Sequence, residues 1–287
     1  MQPPALHDTP PPSASADLAR IHTIEACALR AWPAPQAERQ GDWVLRLAGG
    51  FTKRANSANA AVPQAAFDGV QEAAEALYAR HGLPAIFRLT PLAAPDADAQ
   101  LQAAGYTVFD PSRVMVLPLH GPLPPGAAHV EIAAHPTPAW LDGFAAANGV
   151  AAQHQPMHHA MVRAIAPPTG FATLRQAGEA IGFGLAVRDH DWVGFYDIVI
   201  APAHRRQGHA RVLMQALLRW AREEGAQSGA QSNTQSRVPG GAQDRRQGGA
   251  RWAYLQVRDQ NPAARQLYAG LGFTDLYRYH YRVPAAG

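Results

Sequence analysis

The chain has 287 residues, of which 47% are hydrophobic and 16% charged, enough length for two ordinary domains with real cores and too apolar a composition for wholesale disorder. Its formal net charge of +3 and pI of 9.2 are only mildly basic; with Lys53 as its single lysine, they fit an anionic small-molecule ligand at least as well as nucleic acid. No apolar run is long enough to span a membrane, no basic-then-apolar leader opens the chain, and the lone Cys27 excludes an intramolecular disulfide, so a cytoplasmic protein is the default expectation.

Residues 1–16 are proline-rich and read as a disordered tail. A helix is predicted over 17–32, with Leu18, Ile21, Ile24, Ala28 and Leu29 inward and Cys27 as a small core residue. A strand over 43–47 and a turn at Gly49-Gly50 follow. Residues 51–57 are polar without being low in complexity; they read as a strand edge and loop, with contact to an acceptor substrate as the functional alternative. A helix over 64–80 ends at Gly82, a short strand covers 85–89, a helix over 96–104 is capped by Gly105, and 106–119 supply further strand. The run Gly121-Pro122-Leu123-Pro124-Pro125-Gly126 marks a linker over 120–128, the expected boundary between a first domain (17–119) and a second (129–284).

Beyond the linker the expected order is a strand (129–133), two helices (138–148 and 156–166), and strands over 171–175, 179–188 and 192–200. A helix ending at Gly225, a strand over 252–257, a helix over 262–271 and paired strands to residue 283 complete it. A mixed sheet with helices on both faces is the layer solution for such an order. Residues 226–249 are rich in Gln, Ser and Gly and read as a mobile surface insertion.

The most informative stretch is 193–225. A buried apolar strand is stopped by Ala201-Pro202. Then comes Arg205-Arg206-Gln207-Gly208-His209-Ala210, and a helix with Leu213, Met214, Leu217, Trp220 and Ala221 on one stripe. A strand, a tight loop with a bare glycine, and a helix N-terminus present converging N–H groups and the positive end of a helix dipole, and the arginines add full charges. This suits a phosphate or pyrophosphate. The Walker and Rossmann glycine patterns are both absent.

Arg-x-x-Gly-x-Ala (Arg205, Gly208, Ala210) resembles the pyrophosphate loop of the GNAT superfamily of N-acetyltransferases. Farther on, Leu255-Gln256-Val257, Asn261-Pro262-Ala263-Ala264, Leu267-Tyr268 and Leu271-Gly272-Phe273 are similar to that superfamily's second motif, in the right order. The first half looks like a worn copy of the second: a helix to Gly82, strand, helix and Gly105-Tyr106-Thr107 parallel a helix to Gly225, strand, helix and Gly272-Phe273-Thr274. Where the copy's phosphate loop belongs it carries Ala60-Ala61-Val62-Pro63-Gln64, with no glycine and one donor removed. The expectation is an α/β protein of two GNAT-like domains, each a mixed twisted sheet flanked by helices, with one live site in the second.

The resemblance implies an acetyl-CoA-dependent N-acetyltransferase that moves an acetyl group to a primary amine by direct transfer in a ternary complex. Backbone N–H groups of Gln207, Gly208, His209, Ala210 and Arg211, with the Arg205 and Arg206 side chains, would hold the pyrophosphate. A bulged strand would free amides of Ile198, Val199 and Ile200 for the thioester and pantetheine. Asn261 falls on the superfamily's cofactor-contacting asparagine, though a helix N-cap before Pro262 explains it locally as well. Tyr268 falls on the tyrosine that protonates the departing thiolate; as a bland alternative it is one aromatic on a helix stripe.

Many members carry a glutamate base nearer the middle of the strand, where this chain has Gly194. Asp197 is the candidate base, with a water chain to Glu179 or His204 as the alternative. His154, His158 and His159 have i, i+4 spacing but no carboxylate or Cys at ligand spacing, so no metal is expected; in the GNAT fold their helix borders the acceptor pocket. The alternating Tyr277, Tyr279 and Tyr281 read as one strand face and a possible pocket wall. Arg245-Arg246-Gln247-Gly248-Gly249-Ala250 repeats the phosphate-loop letters but precedes a strand, so it lacks the helix end an anion needs. A non-catalytic acetyl-CoA sensor or assembly module is the alternative function. Nucleic-acid binding is disfavoured because the arginines are scattered. The acceptor amine and the oligomeric state are not legible.

Overall fold

The computed structural model describes residues 14–121, 129–231 and 249–285. Most of the proline-rich tail, most of the linker and residues 232–248, with the greater part of the repeated Arg-Arg-Gln-Gly run, lie outside the described residues.

The first half runs α1 (Ala14–Ala31), β1 (Gln36–Gln40), β2 (Trp43–Leu47), a 3-10 turn (Lys53–Ala55), β3 (Ala58–Ala60), α2 (Val70–Arg80), β4 (Phe87–Leu89), α3 (Ala97–Ala103) and β5 (Tyr106–Pro118). The second half runs β6 (Val130–Ala133), α4 (Pro138–Asn148), α5 (Gln155–Arg163), β7 (Thr169–Gln176), β8 (Glu179–Asp189) and β9 (Trp192–Ile200). It ends with α6 (His209–Gln231), β10 (Trp252–Arg258), α7 (Pro262–Ala269) and β11 (Thr274–Pro284).

Several boundaries have visible local causes. Thr137 caps α4 by accepting the Trp140 N–H at 3.1 Å, Pro138 opens it, and Gly149 closes it at φ +68°. Asn261 does the same for α7, accepting from the Ala264 N–H at 3.1 Å ahead of Pro262. Two expectations need correction. The helix predicted to begin at residue 64 begins at Val70, because Gln64 sits at φ +57° and Ala65 is bonded to a neighbouring loop. The helix after the phosphate-type loop does not stop at Gly225 but continues to Gln231, so the first residues of the supposed insertion are helical. Each of the two glycines it takes in, Gly225 and Gly229, costs a helix only about 1 kcal/mol.

All eleven strands join one sheet in the order β1-β2-β3-β4-β11-β5-β10-β9-β8-β7-β6. Among the described strands, β3/β4 and β9/β10 pair in parallel and the other pairs are antiparallel. Read outward from the centre, β4, β3, β2 and β1 on one side answer β10, β9, β8 and β7 on the other, the duplication expected of two GNAT-like domains. The two central strands are exchanged. β5 follows β4 in the chain but pairs with β10, and β11 follows β10 but pairs with β4 and with β5. The paired strands expected at the chain's end are thus one long strand whose partners come from the first half.

Helices α6 and α7 bury Leu213, Met214, Leu217, Leu218 and Tyr268 against one face of the second half. α1, although it belongs to the first half, packs on β8 and β9 together with α4. Its Ile24 and Cys27, with Trp32 just past its end, join the same core as Phe144 and Tyr196, so the two halves share a hydrophobic interior.

Candidate active site

Strands β9 and β10 run in parallel register from Trp192/Trp252 to Phe195/Leu255, and the pairing ends there. Immediately beyond, β9 shifts register against β8, from Leu185↔Tyr196 to Phe183↔Val199, with Asp197 at φ +52°. This is a bulge just ahead of Ile198, held in a backbone conformation that a non-glycine residue adopts only when its surroundings enforce it. The Ala201 N–H donates to Ile181 on β8 at 2.8 Å, so strand alternation turns the polar groups of Ile200 to the open side, away from β8. A cleft of about 450 Å³ occupies the parting of the strands.

The residues singled out in the sequence divide as follows. Asp197, Ile198, Asn261 and Tyr268 line the cleft. Val199 and Ile200 are buried and paired with β8. The loop at residues 205–208 is exposed, and Gly208 at φ +84° starts α6, with nothing within 4 Å of where its Cβ would stand. The first-turn N–H groups of His209 and Ala210 have no preceding helical carbonyl to bond, while the Arg211 N–H closes back on the Gly208 carbonyl at 3.0 Å.

Two of the loop arginines do structural work. Arg205 Nε donates to the Ile200 carbonyl at 2.9 Å and its Nη2 to Ala147 at 3.4 Å, bracing the loop against β9 and α4. Arg211 Nη1 donates to the Gly270 carbonyl at 2.9 Å and ties α6 to the end of α7. Arg206 remains exposed, at φ +64°.

Tyr268 is buried, its ring edge-on to Phe273 at 6.1 Å, and desolvation pushes its hydroxyl up to about 12. Asp197 meets a partner the sequence did not disclose: His158 Nε2 lies 3.0 Å from its Oδ2. His158 is fully buried, stacked on Phe144 at 4.8 Å and edge-on to Phe51 at 5.7 Å. The histidines thus serve different surroundings; His154 is beside Phe51, and His158 alone reaches the bulge.

Gly194 has a steric reason. A Cβ there would fall 2.6 Å from both Cζ and Oη of Tyr254 and 2.8 Å from Tyr196, whose hydroxyls share a 2.7 Å hydrogen bond. The glutamate that other members place there has no room.

The first half contributes more than a scaffold. Trp32, Thr52, Lys53 and Arg54 line the cleft, as do Asp110 and Ser112 from the exchanged strand β5 and Tyr279 and Tyr281 from β11. Trp32 stacks on Tyr196 at 6.2 Å and 15°, and its Nε1 donates to Thr52 at 3.2 Å. The polar stretch 51–57 and the tyrosine alternation were the visible sequence signals. Tyr277 is buried on the same alternation but lies outside the cleft lining and donates to Glu25.

In the first half the equivalent parting of β3 and β4 is closed. The Ala65 N–H donates to Leu92 at 2.9 Å and the Ala94 N–H to Ala65 at 3.0 Å, while Trp43 Nε1 donates to the Ala66 carbonyl at 2.8 Å. Backbone bonds stitch the gap that a ligand would need.

A duplicated GNAT architecture with one open strand parting, a bulge and a phosphate-type loop defines the chain as a GNAT-superfamily acetyltransferase. Residues 18–240 match the family model described as "Probable histone acetyltransferase Rv0428c C-terminal", and the chain belongs to that family. It is 25% identical over 269 residues to "Uncharacterized N-acetyltransferase YobR" of Bacillus subtilis (strain 168), covering 92% of this chain and 98% of that protein. Among solved structures, its fold is similar to a GCN5-related N-acetyltransferase from Kribbella flavida (TM-score 0.63, 17% identity, 94% and 96% of the two chains). It is similar also to a tandem GNAT protein from the clavulanic acid biosynthesis pathway (TM-score 0.55, 14% identity, 96% of each chain). Among the described residues, no helix is long and apolar enough to cross a membrane.

Proposed function

We propose that this acetyltransferase takes its acetyl group from acetyl-CoA and passes it directly to a primary amine held in the cleft between β9 and β10. The observation that carries the reading is the convergence, on one cleft, of the bulge at Asp197, the Tyr268 hydroxyl and the side chain of Asn261, beside a loop that opens the long helix α6.

The residues present fit the donor. The N-terminal turn of α6 offers N–H groups and the positive end of its dipole to a pyrophosphate, and the bare Gly208 leaves room for it. Arg206 adds an exposed positive charge, and Arg205 holds the loop in shape. The open edge of β9 past the bulge supplies donors for the thioester carbonyl as it becomes an oxyanion.

Asp197, oriented by His158, takes a proton from the incoming ammonium group, leaving a nitrogen lone pair. The new C–N bond forms at the thioester carbon, the attached nitrogen gives up its second proton to solvent, and the C–S bond breaks with its electron pair on sulfur. Tyr268 gives its hydroxyl proton to that thiolate and is reprotonated after release. Burial that pushes the phenol up equally disfavours a bare thiolate beside it, so the proton passes between two desolvated groups.

The experiment is a thiol-release assay over a panel of amines, paired with calorimetry for CoA. One CoA site per chain and acceptor-dependent thiol release are expected. Two equivalent sites would overturn the single-site reading, and tight CoA binding with no turnover on any amine would leave the chain a binding module.

A further inference from the structure

The cleft holds hydrogen-bond donors that nothing in the protein satisfies, and they are grouped. Arg54 Nε is buried without a hydrogen-bond partner, and so is Gln256 Nε2; both residues line the cleft. Gln256 Oε1 accepts from the Tyr279 hydroxyl at 3.0 Å, the Arg54 guanidinium lies over the Tyr196 ring at 5.6 Å, and Tyr196, Tyr279 and Tyr281 all line the same cleft.

The charge around them is unbalanced. Arg46, Arg54 and Arg88 cluster here, and burial, then Arg54 and Arg88, lower Arg46 to about 10. Glu25 is the carboxylate among them, and it is already committed: it pairs with Arg88 through both oxygens and accepts from Tyr277. Arg46 is satisfied by the carbonyls of Arg54, Leu29 and Trp32. The other cleft cations have partners too, Lys53 over the Phe109 ring at 4.1 Å and Arg258 with Asp110 at 3.8 Å. Among the described residues, no carboxylate lies within ion-pair distance of Arg54.

A guanidinium with an orphaned buried donor, sharing a cleft with an orphaned amide, is costly unless an anion completes it. Asp197 lines the same cleft, which thus presents both a carboxylate to an ammonium group and donors to an anion. We infer that the acceptor is an amine that also carries a carboxylate, an amino-acid-like molecule whose carboxylate binds Arg54 and Gln256 while its nitrogen faces Asp197. This rests on the acetyl-transfer reading of the cleft and adds the acceptor's chemical class. A planar carboxylate suits the guanidinium fork, which takes its two oxygens side by side. An internal lysine of a protein substrate would leave the Arg54 donors unpaired.

The test uses product-like probes and needs no turnover. CoA-loaded wild-type protein is titrated calorimetrically with N-acetyl-α-amino acids, N-acetyl-ω-amino acids and the primary amide of each. At least one acid is expected to bind, with its amide weaker by about 10- to 100-fold, the range for losing a hydrogen bond to a charged group. Arg54→Met should erase that difference and leave the CoA dissociation constant unchanged, and Arg54→Lys should keep part of it. Should Arg54→Met fail to fold, the acid-against-amide comparison on the wild type decides alone. Equal affinity for acid and amide, or no binding of any acid at millimolar concentration, would overturn the inference while leaving acetyl transfer intact. Failure of the wild type to bind CoA would overturn the acetyl-transfer reading, and this inference with it.

Discussion

His158 Nε2 and Asp197 Oδ2 meet at 3.0 Å across the join between α5 and the bulge in β9. The histidine is wholly buried, and the aspartate, which lines the cleft, stands at φ +52°, so a strained backbone aims its carboxylate at a fixed imidazole. Such an arrangement orients a proton acceptor and limits which oxygen the substrate can reach. Asp197→Asn should lower turnover by about 10²-fold or more with the CoA dissociation constant unchanged. His158→Gln, which removes the imidazole that orients Asp197, should lower kcat while leaving the CoA dissociation constant unchanged. Wild-type turnover in both variants would remove the pair from the chemistry.

Tyr268→Phe keeps the ring packed against Phe273 and removes the hydroxyl. Turnover should fall by about 10²–10⁴, the range for losing a general acid, while CoA affinity and stability stay close to wild type. Because the hydroxyl is pushed up to about 12, the wild-type enzyme should show no loss of kcat from Tyr268 ionisation up to pH 10. Unaltered turnover in the variant would return Tyr268 to the core.

Gly208→Glu should act on affinity instead. It places a carboxylate at the open start of α6, where φ +84° already disfavours any side chain. Calorimetry should show CoA binding lost, with activity following it. Gly208→Ala is the control: the space is open, so it pays only backbone strain and should retain most binding.

Gly194→Glu, which restores the side chain other superfamily members carry there, should not restore a base. Its Cβ would overlap the Tyr196–Tyr254 pair, which fills the space the side chain needs. A destabilisation of about 1–3 kcal/mol is expected from overpacking. Denaturant titration checks it, and a midpoint equal to wild type would show that the pair can move aside.

Alkaline pH should unfold the protein early. Burial raises the hydroxyls of Tyr196, Tyr254 and Tyr277 above their ordinary value near 10. The unfolded chain releases those protons near pH 10 while the folded chain keeps them, so above that pH the unfolded state binds fewer protons and stability falls as pH rises. Arg46, lowered to about 10 mainly by burial, and Arg20, also lowered by burial, work in the opposite direction, but the raised tyrosines outnumber them. The denaturant midpoint should be flat between pH 8 and 9.5 and drop steeply beyond 10; a midpoint that holds or rises would contradict the sign.

The sequence by itself determined the local pieces: helix α4 between Thr137 and Gly149, strand β9 ended by Ala201-Pro202, the loop at Gly208 and the order of the two motifs. These depend on side-chain period, caps and backbone restrictions within a few residues, so each is legible where it stands. Tertiary structure alone decided which strand pairs with which. β5 and β11 both offer the same backbone donors and acceptors along their edges, and nothing local says that each completes the opposite half. That exchange carries Asp110 and Ser112 into the cleft, and the shared interior carries Trp32, Thr52, Lys53 and Arg54 to it from more than 130 residues upstream of Asp197. His158 and Asp197, 39 residues apart, are brought together by the packing of α5, a relationship that no periodicity within either element encodes.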